Sequence, residues 1–262
     1  MRAACLLALL VLPLSRVRAQ GTQSYTNFPD ELAIASIVVL QDADEFQSTG
    51  SFDCFKDSKG KDYTVAAEFE YGLTDRWEVD AAVPYEFIRP RNGNSVDGIG
   101  DVETGVRYGV VPVSNDWPYA VTAGLECGIP TGDRTHDLGE GRLVLGPSIT
   151  ASTWLGRVNV EFNGAWQRAV TNAGEEPHNA FEYNVAVLYP ISRWFLVLEG
   201  DGESNRERTT YYLTPELIWK TKSLDFLIAM PIGVTQASAD YGVVASVTLE
   251  LENITHRGAD KD

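Results

Sequence analysis

Two neighbouring segments indicate the fold: Tyr63-Thr-Val-Ala-Ala-Glu-Phe-Glu-Tyr71 and Trp77-Glu-Val-Asp-Ala-Ala-Val-Pro-Tyr-Glu-Phe87. In the first, Val65 and Phe69 fall on one face of an extended chain. Glu68 and Glu70 fall on the other, because successive side chains of a strand point to opposite sides. Both segments have about the length of a tilted strand that crosses a bilayer.

The same alternation recurs along the chain as far as Leu251. It is found near residues 102–108, 158–167, 181–189, 224–230 and 241–251. One such segment would be equally typical of a half-buried strand in a soluble β-sandwich. A long succession of them, with charges on the second face, favours an all-β fold: a transmembrane, up-and-down antiparallel β-barrel. A soluble secreted β-sandwich is the alternative fold.

The connections between these segments alternate between short and long. Short ones lie near residues 72–75, 111–116, 153–156, 190–193 and 220–222, and longer polar ones near residues 89–99, 130–140, 169–179, 201–209 and 234–239. Outer-membrane barrels combine short periplasmic turns with longer outside loops. With residues 33–40 as the first strand and residues 42–61 as the first outside loop, this pattern predicts twelve strands.

Aromatic residues gather at the short turns. Tyr and Trp side chains collect at membrane–water boundaries, because their rings have an apolar body and a polar edge. We therefore predict an aromatic girdle at the end of the barrel that carries the short turns, formed by Tyr71, Trp77, Tyr108, Trp117, Trp154, Tyr189, Trp194 and Trp219.

The two ends of the chain differ from its middle. Residues 1–20 have the pattern of a signal peptide: Arg2, a short apolar run, and small residues up to Ala19. We expect residues 21–252 to form the barrel and residues 253–262 to form a polar C-terminal tail. This organisation predicts export to the outer membrane of a Gram-negative cell, with outer-membrane lipid as a partner.

The chain is strongly acidic, with 37 acidic and 21 basic residues and a net charge of -16. This balance excludes nucleic acid as a partner, because nucleic-acid binding needs a basic surface. Beyond the signal peptide only Cys54 and Cys127 remain, which do not make a disulfide framework. We expect these two cysteines not to pair.

If the apolar faces of the strands meet lipid, the opposite faces line the lumen. A charge that faces lipid at mid-depth would cost roughly 2–4 kcal/mol. The predicted lumen-lining residues are Glu68, Glu70, Glu78, Asp80, Glu86, Glu103, Arg107, Glu126, Arg142, Glu161, Glu182, Glu199, Glu216, Asp225 and Glu250. Two interpretations stay open. A wet acidic pore would favour cations and neutral solutes, whereas paired charges that fill the interior would leave a barrel that conducts little.

The sequence predicts no catalytic site, metal site or cofactor. Its three His residues, His136, His178 and His256, lie in loops or in the tail. His136 with Asp133 and Asp137 is the one cluster of the kind that a hydrolase would use, and an exposed polar loop is the simpler interpretation. No spacing of His, Cys or acidic residues matches a metal-binding or cofactor-binding motif.

Three hairpin motifs carry a family resemblance: Tyr71-Gly-Leu-Thr-Asp-Arg-Trp77, Gly98-Ile-Gly-Asp-Val102 and Ile129-Pro-Thr-Gly-Asp133. They resemble the outer-membrane family named for the MetA pathway of phenol degradation, over roughly residues 62–251. The resemblance implies a barrel that passes small, aromatic or otherwise hydrophobic, molecules across the outer membrane. One feature departs from outer-membrane barrels in general, which usually end in an aromatic residue: this chain has Leu249-Glu-Leu251 and then the polar tail.

The leading functional hypothesis is passive, porin-like transport of small-molecule solutes, without enzyme activity. A non-conducting structural or binding barrel and a membrane-embedded hydrolase are the alternatives. The oligomeric state has no signal in the sequence.

Overall fold

The computed structural model describes residues 28–114, 116–170 and 179–251. Nearly all of their regular structure is β-strand, as the alternation predicts. The strand segments are β1 Phe46–Lys56, β2 Gly60–Thr74, β3 Trp77–Pro90, β4 Val96–Ile99, β5 Val102–Val111, β6 Tyr119–Ile129, β7 Val144–Leu155, β8 Val158–Ala169, β9 Asn179–Ile191, β10 Trp194–Asn205, β11 Thr209–Lys220, β12 Leu224–Ala229, β13 Ile232–Gly233 and β14 Tyr241–Leu251. A 3-10 helix, Arg134–His136, lies in the loop between β6 and β7. None of the helical structure in these residues is long and apolar enough to cross a membrane.

The strands close into a barrel. β1 pairs antiparallel with β2 on one side and with β14 on the other, so that Phe46 lies opposite both Tyr71 and Leu251. Two spans are interrupted: β4 and β5 both pair with β3, and β12 and β13 both pair with β11 and β14. The fourteen segments therefore make twelve spans, which confirms the predicted twelve-stranded antiparallel barrel. Closure pairs the first described strand with the last and so removes the two edges that an open sheet would have.

The prediction of the first strand is wrong. Residues 33–40 form no strand, and the predicted first outside loop, residues 42–61, contains β1 and the start of β2. The sequence does not indicate β1, because residues 48–51 are Ser-Thr-Gly-Ser, which give no apolar alternation. Residues 33–40 lie inside the barrel instead, where Ile37 and Val38 are buried.

The outer face of the barrel is a belt of exposed apolar side chains. On β10, Leu196 and Leu198 are 48% and 46% exposed, whereas Val197 and Glu199, which alternate with them, are 5% and 0% exposed. A soluble sandwich would bury the apolar set. A barrel in lipid turns the apolar set outward, and this belt has that arrangement.

Aromatic side chains cluster on the outside at the end that carries the short turns, here called the short-turn end. The ring centroids of Trp77 and Tyr108 lie 4.6 Å apart, and those of Trp194 and Trp219 lie 6.0 Å apart. The other members of the predicted girdle on this end include Tyr71, Trp117 and Tyr189; the ring of Tyr189 lies 5.3 Å from the guanidinium of Arg157.

Trp154 does not belong to the girdle, and its assignment to it is wrong. Its ring packs edge-on against Phe28 inside the barrel, with centroids 5.7 Å apart. Trp154 shares the inward face of β7 with Ser152, and its neighbour Leu155 is 64% exposed. Its position near a turn predicts a place in the girdle. Alternate side chains of β7 face inward, however, and Trp154 is one of them.

Cys54 and Cys127 are free and half-buried. The predicted signal peptide, the polar C-terminal tail, His178 and His256 lie outside the described residues.

Candidate functional site

The lumen has two halves of different content. In the half next to the short-turn end, residues 28–45, here called the inner segment, run through the interior. In the other half, next to the long loops, a cavity of about 940 Å³ remains. The long-loop end is the end at which β6 and β7 are joined by residues 130–143.

Carboxylates on the strands hold the backbone of the inner segment. Each accepts a hydrogen bond from a main-chain N–H, and the strands that supply them lie around much of the barrel. The bonds run from Asp30 to Asp225 at 3.3 Å, from Ala33 to Glu216 at 3.2 Å, from Ala35 to Glu199 at 3.3 Å, from Val38 to Glu161 at 3.1 Å and from Gln41 to Glu78 at 2.7 Å. Because a buried polar group is costly without a partner, these bonds stabilise a stretch of backbone that has no strand beside it.

Arg107 binds the carbonyl groups of the same stretch. Its guanidinium donates to the carbonyl of Val39 at 2.9 Å and to that of Ile37 at 3.4 Å. The same guanidinium lies 2.8 Å from the carboxylate of Glu78, whose side chain is fully buried. The hydroxyl of Thr122 donates to the carbonyl of Val38 at 2.9 Å. Arg107 is therefore at once the partner of a buried carboxylate and an anchor of the inner segment.

Two further contacts fasten the ends of the inner segment. Lys220 donates to both carboxylate oxygens of Asp30 at 2.5 Å and lies 3.6 Å from the carboxylate of Glu250. At the other end, the side-chain amide of Gln41 donates to Gln47 at 2.7 Å, and that of Gln47 donates to Glu70 at 2.5 Å.

Apolar side chains complete the packing of this half. Phe28, Leu32, Ile37 and Val38 are each at most 7% exposed. They form one cluster with inward side chains of the wall, which include Ala186, Leu188, Phe195, Val197 and Ile218. Aliphatic residues on the inner face of β9 and β10 thus serve to bury the inner segment.

The cavity half keeps charged side chains without filling the space between them. Of the predicted lumen residues, Glu68, Glu86, Glu103 and Arg142 line the cavity. Asp53, Asp101, Arg134, Asp137 and Glu140 line it as well, and the alternation on the strands had not identified them. The cavity is therefore predominantly acidic, with two arginines on the side of the β6–β7 loop.

The remaining predicted lumen residues lie on the inner face away from the cavity lining. The carboxylate of Glu126 accepts a hydrogen bond from Gln167 at 3.1 Å. Asp80 lies opposite Gly105 in the register and occupies the space that a side chain at Gly105 would need. Glu182 is half-buried on β9.

The β6–β7 loop folds into the mouth of the barrel, and two of the family motifs meet there. Asp101 accepts hydrogen bonds from the backbone N–H groups of Gly132 at 2.9 Å and Glu140 at 2.7 Å. Leu138 is 4% exposed and packs where a side chain at Gly98 would otherwise stand. The motif around residues 98–102 therefore docks the loop that follows the motif around residues 129–133.

His136 lies exposed in this loop. Its Nδ1 is 2.7 Å from the carboxylate of Asp133 and 3.2 Å from the hydroxyl of Thr135. Both contacts converge on one ring nitrogen, whereas a nucleophile–His–acid relay uses both nitrogens. Hydrogen bonds from the Thr135 hydroxyl and from His136 lower the pKa of Asp133 to about 2. In the described ranges, no cluster of three or more His, Cys, Asp or Glu side chains could hold a metal ion.

The family described as "Putative MetA-pathway of phenol degradation" matches residues 83–250. No curated protein sequence matches the chain.

Solved structures with the same fold are outer-membrane barrels. The COG4313 outer membrane channel from Pseudomonas putida F1 is similar with a TM-score of 0.66 at 10% identity, covering 83% of this chain and 99% of that chain. The NanC porin gives a TM-score of 0.55 at 14% identity, over 79% of this chain and 100% of that one. The β domain of the Bordetella autotransporter BrkA gives 0.51 at 9% identity, over 79% and 99%. The chain belongs to the family named for the MetA pathway of phenol degradation, and its fold is that of an outer-membrane β-barrel.

Proposed function

We propose that the chain is exported by its signal peptide to an outer membrane, where the barrel serves the passive transport of small molecules. The short-turn end then faces the periplasm, since outer-membrane barrels have short periplasmic turns. The observation that carries this proposal is the cavity of about 940 Å³ inside a closed barrel whose outer belt is apolar.

The charge of the cavity favours a particular class of solute. Its wall presents Asp53, Glu68, Glu86 and Glu103. Carboxylates that line a passage repel anions, so cations and neutral polar molecules are favoured. The aromatic or hydrophobic solutes implied by the family resemblance would need enough polarity to enter this lining.

A non-conducting barrel is the second candidate, and one observation favours it. The inner segment occupies the half of the lumen next to the short-turn end, whereas the sequence-based interpretation of a filled interior predicts that paired charges would fill it. The other interpretation, an open acidic interior, describes the cavity half. The lumen is thus filled in one half, by the inner segment, and open in the other.

Conductance across a planar bilayer tests the proposal on the refolded chain. We expect cation-selective current steps, with reversal potentials in a salt gradient that shift toward zero in the double variant Glu68→Gln/Glu103→Gln. Asp116→Asn is the matched control, because Asp116 is exposed in the turn between β5 and β6. Insertion without current at any voltage would contradict transport and support the non-conducting barrel. Anion-selective current would keep transport and contradict the cation preference expected from the carboxylates of the cavity.

A further inference from the structure

We propose that the inner segment is a displaceable gate, anchored chiefly by Arg107, that closes the lumen at the short-turn end and opens by leaving it. This inference rests on the proposed transport function, because a gate matters only in a barrel through which solutes pass.

The way in which the inner segment is attached makes it separable from the wall. Its backbone-to-backbone hydrogen bonds to a strand lie at its end, where Asp44 donates to Gly72 and Gly72 donates to Glu45, each at 3.0 Å. Among the described residues, residues 29–41 make no such bond to any strand and are held through side chains of the wall. The barrel closes through β1 and β14 without them. Displacement of residues 28–41 would therefore break no strand pairing.

The natural hinge lies just before β1. Asp44 has a φ of 65°, in the left-handed region that few residues other than glycine adopt. The backbone N–H of Asp42 donates to the carboxylate of Glu45 at 2.8 Å, and that of Glu45 donates to the carbonyl of Asp42 at 3.1 Å. Residues 42–45 thus form a tight turn fixed to β2. The part of the inner segment before this turn, residues 28–41, here called the arm, can swing about it.

Water can replace the polar contacts of the inner segment, whereas its buried apolar side chains, such as Ile37 and Val38, would also have to separate from the apolar wall. Arg107 holds two carbonyls of the arm, and Lys220 holds the side chain of Asp30. The five carboxylates that accept the N–H groups of the arm would become solvated when it leaves. They would then line the opened passage beside the apolar wall residues, which include Leu188 and Val197. The same carboxylates would thus hold the gate when closed and favour cations when open.

Ala186 offers a position from which to detect the opening. It is fully buried beneath the inner segment, and in the register it lies between Glu161 and Glu199, which hold Val38 and Ala35. A thiol placed there faces the lumen and can react with a membrane-impermeant methanethiosulfonate only when the inner segment has moved. The reporter is Ala186→Cys in a chain that also carries Cys54→Ser and Cys127→Ser.

The test compares the labelling rate of this reporter with and without the anchor. In Glu78→Gln/Arg107→Gln the buried charge pair is removed as a unit, so that Glu78 is not left charged beside a missing Arg107. We expect labelling to rise roughly tenfold or more, the factor that follows from losing a charge-assisted hydrogen bond. The matched control is Arg89→Gln/Asp97→Asn, an exposed pair at 3.7 Å near the long-loop end, which should leave the rate unchanged.

Thr122→Val provides a second variant if the first does not refold, because it removes only the hydrogen bond to the carbonyl of Val38. We expect a smaller rise of about threefold, since a neutral hydrogen bond contributes less. An unchanged labelling rate in a folded variant would overturn the gate, and so would equal rises in the variant and the control.

The labelling experiment needs no current, so the two proposals can fail separately. Faster labelling in a barrel that stays electrically silent would keep a movable inner segment and refute transport. If current is steady while the reporter thiol stays protected, the transport proposal stands and the gate is refuted. Solutes would then pass beside a fixed inner segment.

Discussion

Inward-facing glutamates have different roles in the two halves of the lumen. Glu199, in the half next to the short-turn end, is fully buried and accepts a backbone N–H of the inner segment. Glu68, on the same kind of inward face in the other half, borders a cavity. The role of a carboxylate on the inner face therefore depends on what lies against it. It anchors the inner segment where that segment is present, and it lines the cavity where it is absent.

The largest expected difference between the halves concerns Arg107. Arg107→Ala leaves Glu78 buried without its cation and should lower the free energy of unfolding by roughly 3–5 kcal/mol. Arg89→Ala, at the long-loop end, removes an exposed pair and should cost about 0–1 kcal/mol. Urea unfolding of both variants in lipid vesicles measures the two costs. Equal costs would show that the filled half is no more tightly packed than the mouth.

A smaller and more local effect is expected from Leu138, which fastens the β6–β7 loop. Leu138→Ala should destabilise the docked loop by roughly 2 kcal/mol, because a buried leucine loses most of its packing. The measurement is the rate at which a protease cleaves within residues 130–143. Phe28→Ala, which loosens the inner segment, should leave that rate unchanged, and a rise in both variants would mean that the two halves are coupled.

The smallest expected effect is a pH dependence confined to the loop. The pKa of Asp133 is lowered to about 2 from 3.8, so its charged form stabilises the local structure above pH 4. That stabilisation should be lost as the pH falls from about 4 through about 2. Hydrogen exchange of the Thr135 amide, corrected for its intrinsic rate, reports it, because this amide donates to Asp133 at 2.9 Å. Asp133→Asn should remove the pH dependence. If the Thr135 amide stays protected from exchange well below the lowered pKa of Asp133, the predicted pH dependence is wrong.

Prediction from sequence succeeded where side chains alternate and failed where they do not. The outward and inward faces of β2 and β3 follow directly from the alternation of apolar and charged residues, because successive side chains of a barrel strand face lipid and lumen in turn. β1 lacks that contrast, since Ser, Thr and Gly tolerate either side. The closeness of Trp154 to a turn predicts a place in the girdle, whereas its position in the alternation of β7 directs its side chain into the lumen.

The cavity could be predicted only in part for a related reason. The alternation predicts Glu68, Glu86 and Glu103 because they lie on strands. Arg134, Asp137 and Glu140 lie in a loop, and no periodicity indicates that a loop folds inward. Gly98 and Asp101, in a motif that the sequence does show, are the residues that hold this loop in place.

The alternation along the chain is enough to predict an all-β barrel with an apolar outside and an acidic inside, because each position of a strand faces either lipid or lumen. The position of the first strand and the content of the lumen depend on how the barrel closes. Residues 33–40 are apolar enough for a strand, yet the barrel closes through β1 and β14 without them and leaves a row of carboxylates facing inward. The N–H and C=O groups of this stretch find partners in Glu161, Glu199 and Arg107, which meet only when the barrel has closed.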